Sequence, residues 1–294
     1  MQPLRVLAIY ITLVFVGGAL AAPWIYWLTQ AFADELLGLG NRPFHRFVHR
    51  SILLLAVLGL WPLLKTIGIA SPRDVGLIKP SGQWKKLGGG FALGFASLAL
   101  IAGLALAAGA RSPASDIGTA GKKIVGAAFT AVAVAVLEEI LFRGALFGAL
   151  RTGMNWMTAL LLSSMFYAIV HFLESARLTG PVCWYSGVEL LPRMLRGFAD
   201  WHAIIPGFLS LTVAGFLLGL AYQRTGNLYF SIGLHAGWIF WLKSYGFLTR
   251  DVAGFDPWLW GTSRLINGWV ALPVLGLTLL VFNRWEAGRD APSL

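Results

Sequence analysis

Apolar runs long enough to cross a lipid bilayer recur along most of this chain. Residues 7–28, LAIYITLVFVGGALAAPWIYWL, carry no charge at all. A hydrocarbon core needs about 20 such residues in a helix, and periods this long are the mark of membrane helices rather than of a soluble core. Of 294 residues, 57% are hydrophobic and only 12% charged, and that charged share is about half the usual one. The reading is an all-α, polytopic membrane protein.

Eight apolar segments stand out: 5–29, 49–70, 87–109, 122–150, 154–173, 203–224, 227–248 and 266–284. They predict about eight transmembrane helices in a single bundle, so residues 1–294 read as one membrane domain. The first segment has the Ala-x-Ala of a signal peptide at Ala19 and Ala21. Its apolar run continues through Trp24 to Leu28 with only Arg5 before it, so it reads as a retained first membrane helix. Segment 71–86 reads as an interfacial loop. Stretches 174–202 and 249–265 mix charge with Trp and read as lying on the membrane surface.

The net charge of +10 raises the question of nucleic acid. The basic residues are instead spread over the connections, at Arg42, Arg46 and Arg50, at Lys79, Lys85 and Lys86, and at Lys122 and Lys123. Such charges sit at headgroup level and attract anionic lipid, and no arginine-rich tract or aromatic RNA-binding motif accompanies them. No nucleic-acid partner is expected. Basic residues divide almost evenly between the two sides, so they give no orientation. Cys183 is the single cysteine and excludes an intramolecular disulfide. Small residues four apart (Gly90 and Gly94, Gly144 and Gly148, Gly215 and Gly219, Gly233 and Gly237) predict close helix approach.

Against this background, AVLEEILFRGAL at 135–146 is out of place, because it sets Glu138, Glu139 and Arg143 within an apolar segment. Each such charge costs about 2.5–3.5 kcal/mol at mid-membrane on insertion scales. Residues four apart on a helix lie about 40° apart around its axis, so Glu139 and Arg143 can pair, while Glu138 points about 100° away from Glu139. Partners for Glu138 must come from other helices. Two later segments offer them. In SSMFYAIVHFLE, Ser164, Tyr167, His171 and Glu174 follow one helical stripe. In NLYFSIGLHAGWIF, Asn227, Ser231 and His235 form a polar ladder that Ile239 interrupts. A carboxylate with two imidazoles suits general acid–base catalysis or metal binding. No H-E-x-x-H and no G-x-S-x-G is present, which leaves zinc-protease helices and serine elbows unsupported. His45, His49 and His202 read as interfacial.

EEILFR resembles the E-E-x-x-x-R motif of the CAAX prenyl protease type II family, the CPBP or Abi group of intramembrane proteases. YAIVH, with Tyr167 in place of Phe, is similar to the family's F-x-x-x-H. HAGWI, from His235 to Ile239, is similar to its H-x-x-x-N. The resemblance covers residues 120–245 and marks them as the catalytic core. It implies an endopeptidase cutting a membrane-associated or lipid-modified peptide in a multi-pass protein of the cell membrane. It further implies Glu138 as the base that activates water, Glu139 and Arg143 as orienting residues, His171 as positioning the water, and His235 as stabilising the oxyanion. Zinc is the metal that Glu138, His171 and His235 could ligate; a metal-free glutamate mechanism is the other route. Isoleucine at 239 cannot donate a hydrogen bond, which leaves Tyr167, Asn227, Ser231 and Trp238 as candidate substrate or oxyanion donors. Two other functions fit the same charges: a proton-coupled carrier, and an inactive family member acting as a binding or immunity protein.

Overall fold

The computed structural model describes residues 3–32, 42–114, 118, 120–174 and 176–290. In lipid every backbone polar group must be satisfied within the protein, and the apolar segments accordingly form helices. These are α1 (Pro3–Thr12, continuing through a π-helical stretch Leu13–Gly17 into Gly18–Ala31), α2 (Phe44–Thr66) and α3 (Trp84–Ala107). Helix α4 runs over Ala120–Glu139 and through a second π-helical stretch, Ile140–Phe147, to Gly148–Arg151. Then follow α5 (Trp156–His171), α6 (Ser186–Met194), α7 (Trp201–Thr225), α8 (Tyr229–Leu248) and α9 (Ala271–Asp290).

All eight expected segments overlap a helix. Among the described residues, five helices are long and apolar enough to cross a membrane: Leu4–Ala31, Phe44–Thr66, Trp84–Ala107, Gly121–Arg151 and Trp201–Thr225. The α5 helix is apolar but shorter. Ser231, His235 and Lys243 dilute the apolar character of α8, and Arg284 and Glu286 that of α9. The protein is all-α and polytopic. Its only described strands are β1 (Arg111–Pro113) and β2 (Thr249–Asp251), a short antiparallel ribbon pairing Arg111 with Asp251.

The chain divides into two compact units, one of residues 1–70 with 170–201, the other of 71–169 with 202–294. In the first, α1 and α2 run antiparallel. Tyr10 donates to the Ala56 carbonyl at 2.7 Å, Gly18 lies against the Ile52 backbone, and Tyr26 packs edge-on against Phe44 and Phe47. Gly187 of α6 lies so close to α1 that a Cβ there would stand 1.9 Å from the Ala19 carbonyl oxygen. Helix α2 starts at Phe44, so Arg46, His49 and Arg50 belong to its first two turns rather than to the preceding loop.

In the second unit, α3 and α8 run parallel in backbone contact. A Cβ on Gly94 would stand 2.1 Å from the Leu234 oxygen, one on Gly90 2.2 Å from the Phe230 oxygen, and one on Gly233 2.1 Å from the Leu87 oxygen. The two glycine pairs therefore clasp each other, as small residues in lipid permit. Gly215 and Gly219 of α7 meet Ser164, Tyr167 and Leu160 of α5 in an antiparallel crossing. Gly144 packs on Val75, so the segment expected as an interfacial loop sends a residue inward: Val75 is buried. Gly148 approaches only its own helix.

Candidate active site

Helix α8 positions the site because it has two faces. Gly233 and Gly237 pin one face to α3. His235, midway between them, points the other way at about 200° around the axis, where α4 lies. The π-helical stretch of α4 begins directly after the glutamate pair. Insertions of this kind widen a turn and recur at functional sites.

Glu139 is fully buried, and its Oε1 holds two partners. Arg143 Nη1 donates to it at 2.9 Å, and His235 Nδ1 lies 2.9 Å from the same oxygen. The Arg143 Nη2 donates to the Gly215 carbonyl at 3.3 Å, and the guanidinium lies 4.8 Å from the centre of the Tyr167 ring. Tyr167 is held edge-on by Phe142 at 5.0 Å. Its hydroxyl reaches 3.3 Å from His235 Nε2, and Glu138 Oε2 lies 3.7 Å from the same nitrogen. The two neighbouring glutamates thus divide: the Glu139 side chain has no accessible surface, whereas Glu138 keeps 22% of its own.

The chemistry follows from charge. A carboxylate paired with arginine accepts hydrogen bonds only, so His235 Nδ1 carries the hydrogen it gives to Glu139. The hydrogen bond at one ring nitrogen fixes the role of the other. In the neutral imidazole Nε2 is then an acceptor, with the Tyr167 hydroxyl beside it.

The structure thus brings together Glu138, Glu139, Arg143, Tyr167 and His235, all in the second unit. Ser231 neighbours the Glu139 carboxylate and donates to the Leu228 carbonyl at 3.1 Å. Trp238 gives its Nε1–H to Ser97 at 2.8 Å. Asn227 precedes α8, donating to the Thr225 carbonyl at 2.9 Å and accepting from the Tyr229 amide at 3.2 Å. It shapes a turn, and the expected ladder begins only at Ser231. His171 is the last residue of α5, exposed and counted with the first unit. Glu174 lies beyond that helix, where its amide donates to the Met194 carbonyl, so the stripe from Ser164 stops at His171. Ile239 is buried one turn past His235.

Among the described residues, no three His, Cys, Asp or Glu side chains are arranged to hold a metal ion. Glu139 is already engaged by Arg143 and His235. The groups brought together here are two carboxylates, a guanidinium, an imidazole and a phenol hydroxyl. The residue that spacing does not single out for the site is Gly215: besides packing α7 on α5, its buried carbonyl anchors Arg143. A β-carbon there would stand 3.1 Å from Ser164 Cα and 3.2 Å from Tyr167 Cδ1.

No curated protein and no solved structure matches the chain. Residues 120–241, an interval that contains every residue of the cluster, match the family described as type II CAAX prenyl endopeptidase Rce1-like.

Proposed function

We propose that this protein is an intramembrane endopeptidase that hydrolyses a peptide bond in a membrane-associated, prenylated protein, with Glu138 activating the water. The observation that carries the reading is the division between the glutamates. Glu139 is sealed and engaged by an arginine and an imidazole. Glu138 has accessible surface and faces Nε2 of His235. A base must reach a water and a substrate, and of the two glutamate side chains only that of Glu138 keeps accessible surface, with its Oε2 turned inward to His235.

In this mechanism the Glu138 carboxylate takes one proton from water as the oxygen adds to the scissile carbonyl carbon. The same proton passes to the amide nitrogen as the C–N bond breaks, which regenerates the carboxylate. Arg143 holds Glu139, and Glu139 holds the His235 ring, so the imidazole is oriented before substrate arrives. The catalytic core is residues 120–245. The prenylated substrate class rests on the matched family's description; an integral membrane protein rich in apolar helices is a fitting host for a lipid-modified peptide. The role of His171 in positioning water is a separate proposal, read from the rate of His171→Ala.

The purified full chain in detergent, given an S-farnesylated peptide ending in Cys-aliphatic-aliphatic-X in H2-18O, is expected to release the C-terminal tripeptide. One 18O should enter the new carboxyl group. An intact peptide after prolonged incubation with folded protein overturns the proposal. Buried Ile239 supports a second reading, an inactive family member that binds a partner, and that reading predicts the same intact peptide together with its retention on the protein.

A further inference from the structure

Glu139 is held through one of its two oxygens. Arg143 Nη1 and His235 Nδ1 both bind Oε1, each at 2.9 Å. The other oxygen, Oε2, is buried and takes no hydrogen bond from the described residues. A buried acceptor left in this way carries its full desolvation penalty. Two donors on one oxygen also let the group pivot, because the terminal torsion of a glutamate is broad. His235 takes its orientation from this carboxylate, so a pivot there would move the imidazole that faces Glu138 at 3.7 Å. That dependence is the same for a neutral and a charged ring, since the hydrogen given to Glu139 sits on Nδ1 in both.

Ser231 can supply the missing donor. It lies one turn before His235 on α8, about 40° away around the axis, so the two side chains share a face. Ser231 has no accessible surface, and its hydroxyl neighbours the Glu139 carboxylate. The same hydroxyl stands 3.1 Å from the Leu228 carbonyl oxygen. That carbonyl does not depend on it, because the Ile232 amide already donates there at 2.8 Å. A hydroxyl rotates to suit its acceptor. Turned from Leu228 to Glu139, it strands no carbonyl and exchanges a neutral hydrogen bond for a charge-assisted one, roughly twice as strong.

We propose that Ser231 is a positioning residue whose hydroxyl donates to Oε2 of Glu139, fixing the carboxylate that orients His235. No proton is transferred by this residue. It acts on the reaction only through Glu139 and His235, and that part of the role rests on Glu138 as the base.

The test follows the His235 Nδ1–H resonance in the full chain, labelled with 15N-histidine and held in detergent; its loss in His235→Gln identifies it. Ser231→Ala is expected to move this resonance downfield, because Oε1 regains the charge that the hydroxyl draws toward Oε2. Ser231→Thr, which keeps the hydroxyl, should leave it near its wild-type position. With the farnesylated peptide as probe, Ser231→Ala should lower kcat about tenfold, the low end of the loss when a group that orients a functional side chain is removed. KM should change less than twofold, and Ser231→Thr should recover the rate. A serine that serves only α8 would lower the yield of folded protein and leave the resonance in place. An unmoved resonance in folded Ser231→Ala overturns the hydrogen bond, and a moved resonance with kcat within twofold of wild type overturns the positioning role. Should Ser231→Ala fail to fold, Ser231→Cys carries a weaker donor, and the same downfield movement, smaller in size, is expected; no movement overturns the proposal. If the wild-type chain leaves the peptide intact, the endopeptidase reading fails, and the resonance alone still decides whether Ser231 holds Glu139.

Discussion

Arg143 and Arg111 are buried to the same degree, at 2% and 4% exposure. Each lies over a tyrosine ring, at 4.8 Å from Tyr167 and 5.1 Å from Tyr245. Each pairs with a carboxylate. The carboxylates differ: Glu139 has no accessible side-chain surface, whereas Asp251 keeps 75% of its own. Arg111 ends there, tying β1 to β2 through Thr249 and Asp251. Arg143 leads on, through Glu139 to His235 and from Nε2 to Tyr167 and Glu138. An ion pair that opens to the exterior fastens a ribbon. One closed on every side costs several kcal/mol of desolvation per ion, and here it holds an imidazole beside an accessible acid.

The contrast predicts a graded series, read by thermal unfolding of purified variants in detergent. Arg143→Met leaves the Glu139 carboxylate buried and uncompensated, so it should cost about 3–5 kcal/mol. A loss below 1 kcal/mol would mean that Glu139 is not charged in the folded protein. Gly215→Ala comes next, at about 1–3 kcal/mol, because its methyl group must push α7 from α5 at Ser164 and Tyr167. It should also lower kcat by loosening the Arg143 anchor. Asp251→Asn should cost less than about 1 kcal/mol, the usual worth of a solvent-facing pair. If Asp251→Asn proved as damaging as Arg143→Met, the distinction between the two arginines would fall.

The sequence foretold the charged half of this contrast and missed the other. The spacing of Glu139 and Arg143 on an apolar segment requires a pair, and His235 stands out as an imidazole on the polar ladder of a largely apolar segment. The helices were legible for the same reason, since long uncharged runs have one stable fold in lipid. What escaped was non-local or depended on where helices stop. Nothing local marks Arg111 and Asp251, 140 positions apart, as partners. Asn227 follows Gly226, whose φ of +67° closes α7; the Gly-Asn step was a turn signal, and the polar ladder masked it. Glu174 continued the periodicity of α5 beyond the point where the helix ends. The parallel clasp of α3 and α8 needs both glycine pairs to be matched between distant parts of the chain, although each is visible alone. The π-helical stretch after Glu139 has no signature in residue type at all.

The most direct measurement is the rate of farnesylated-peptide cleavage by Glu138→Gln in the full chain, which differs from wild type by one oxygen exchanged for an NH2 group. Glu138 as the base predicts a fall in kcat of at least about 100-fold with unfolding temperature retained. Cleavage at the wild-type rate by the folded variant would contradict it.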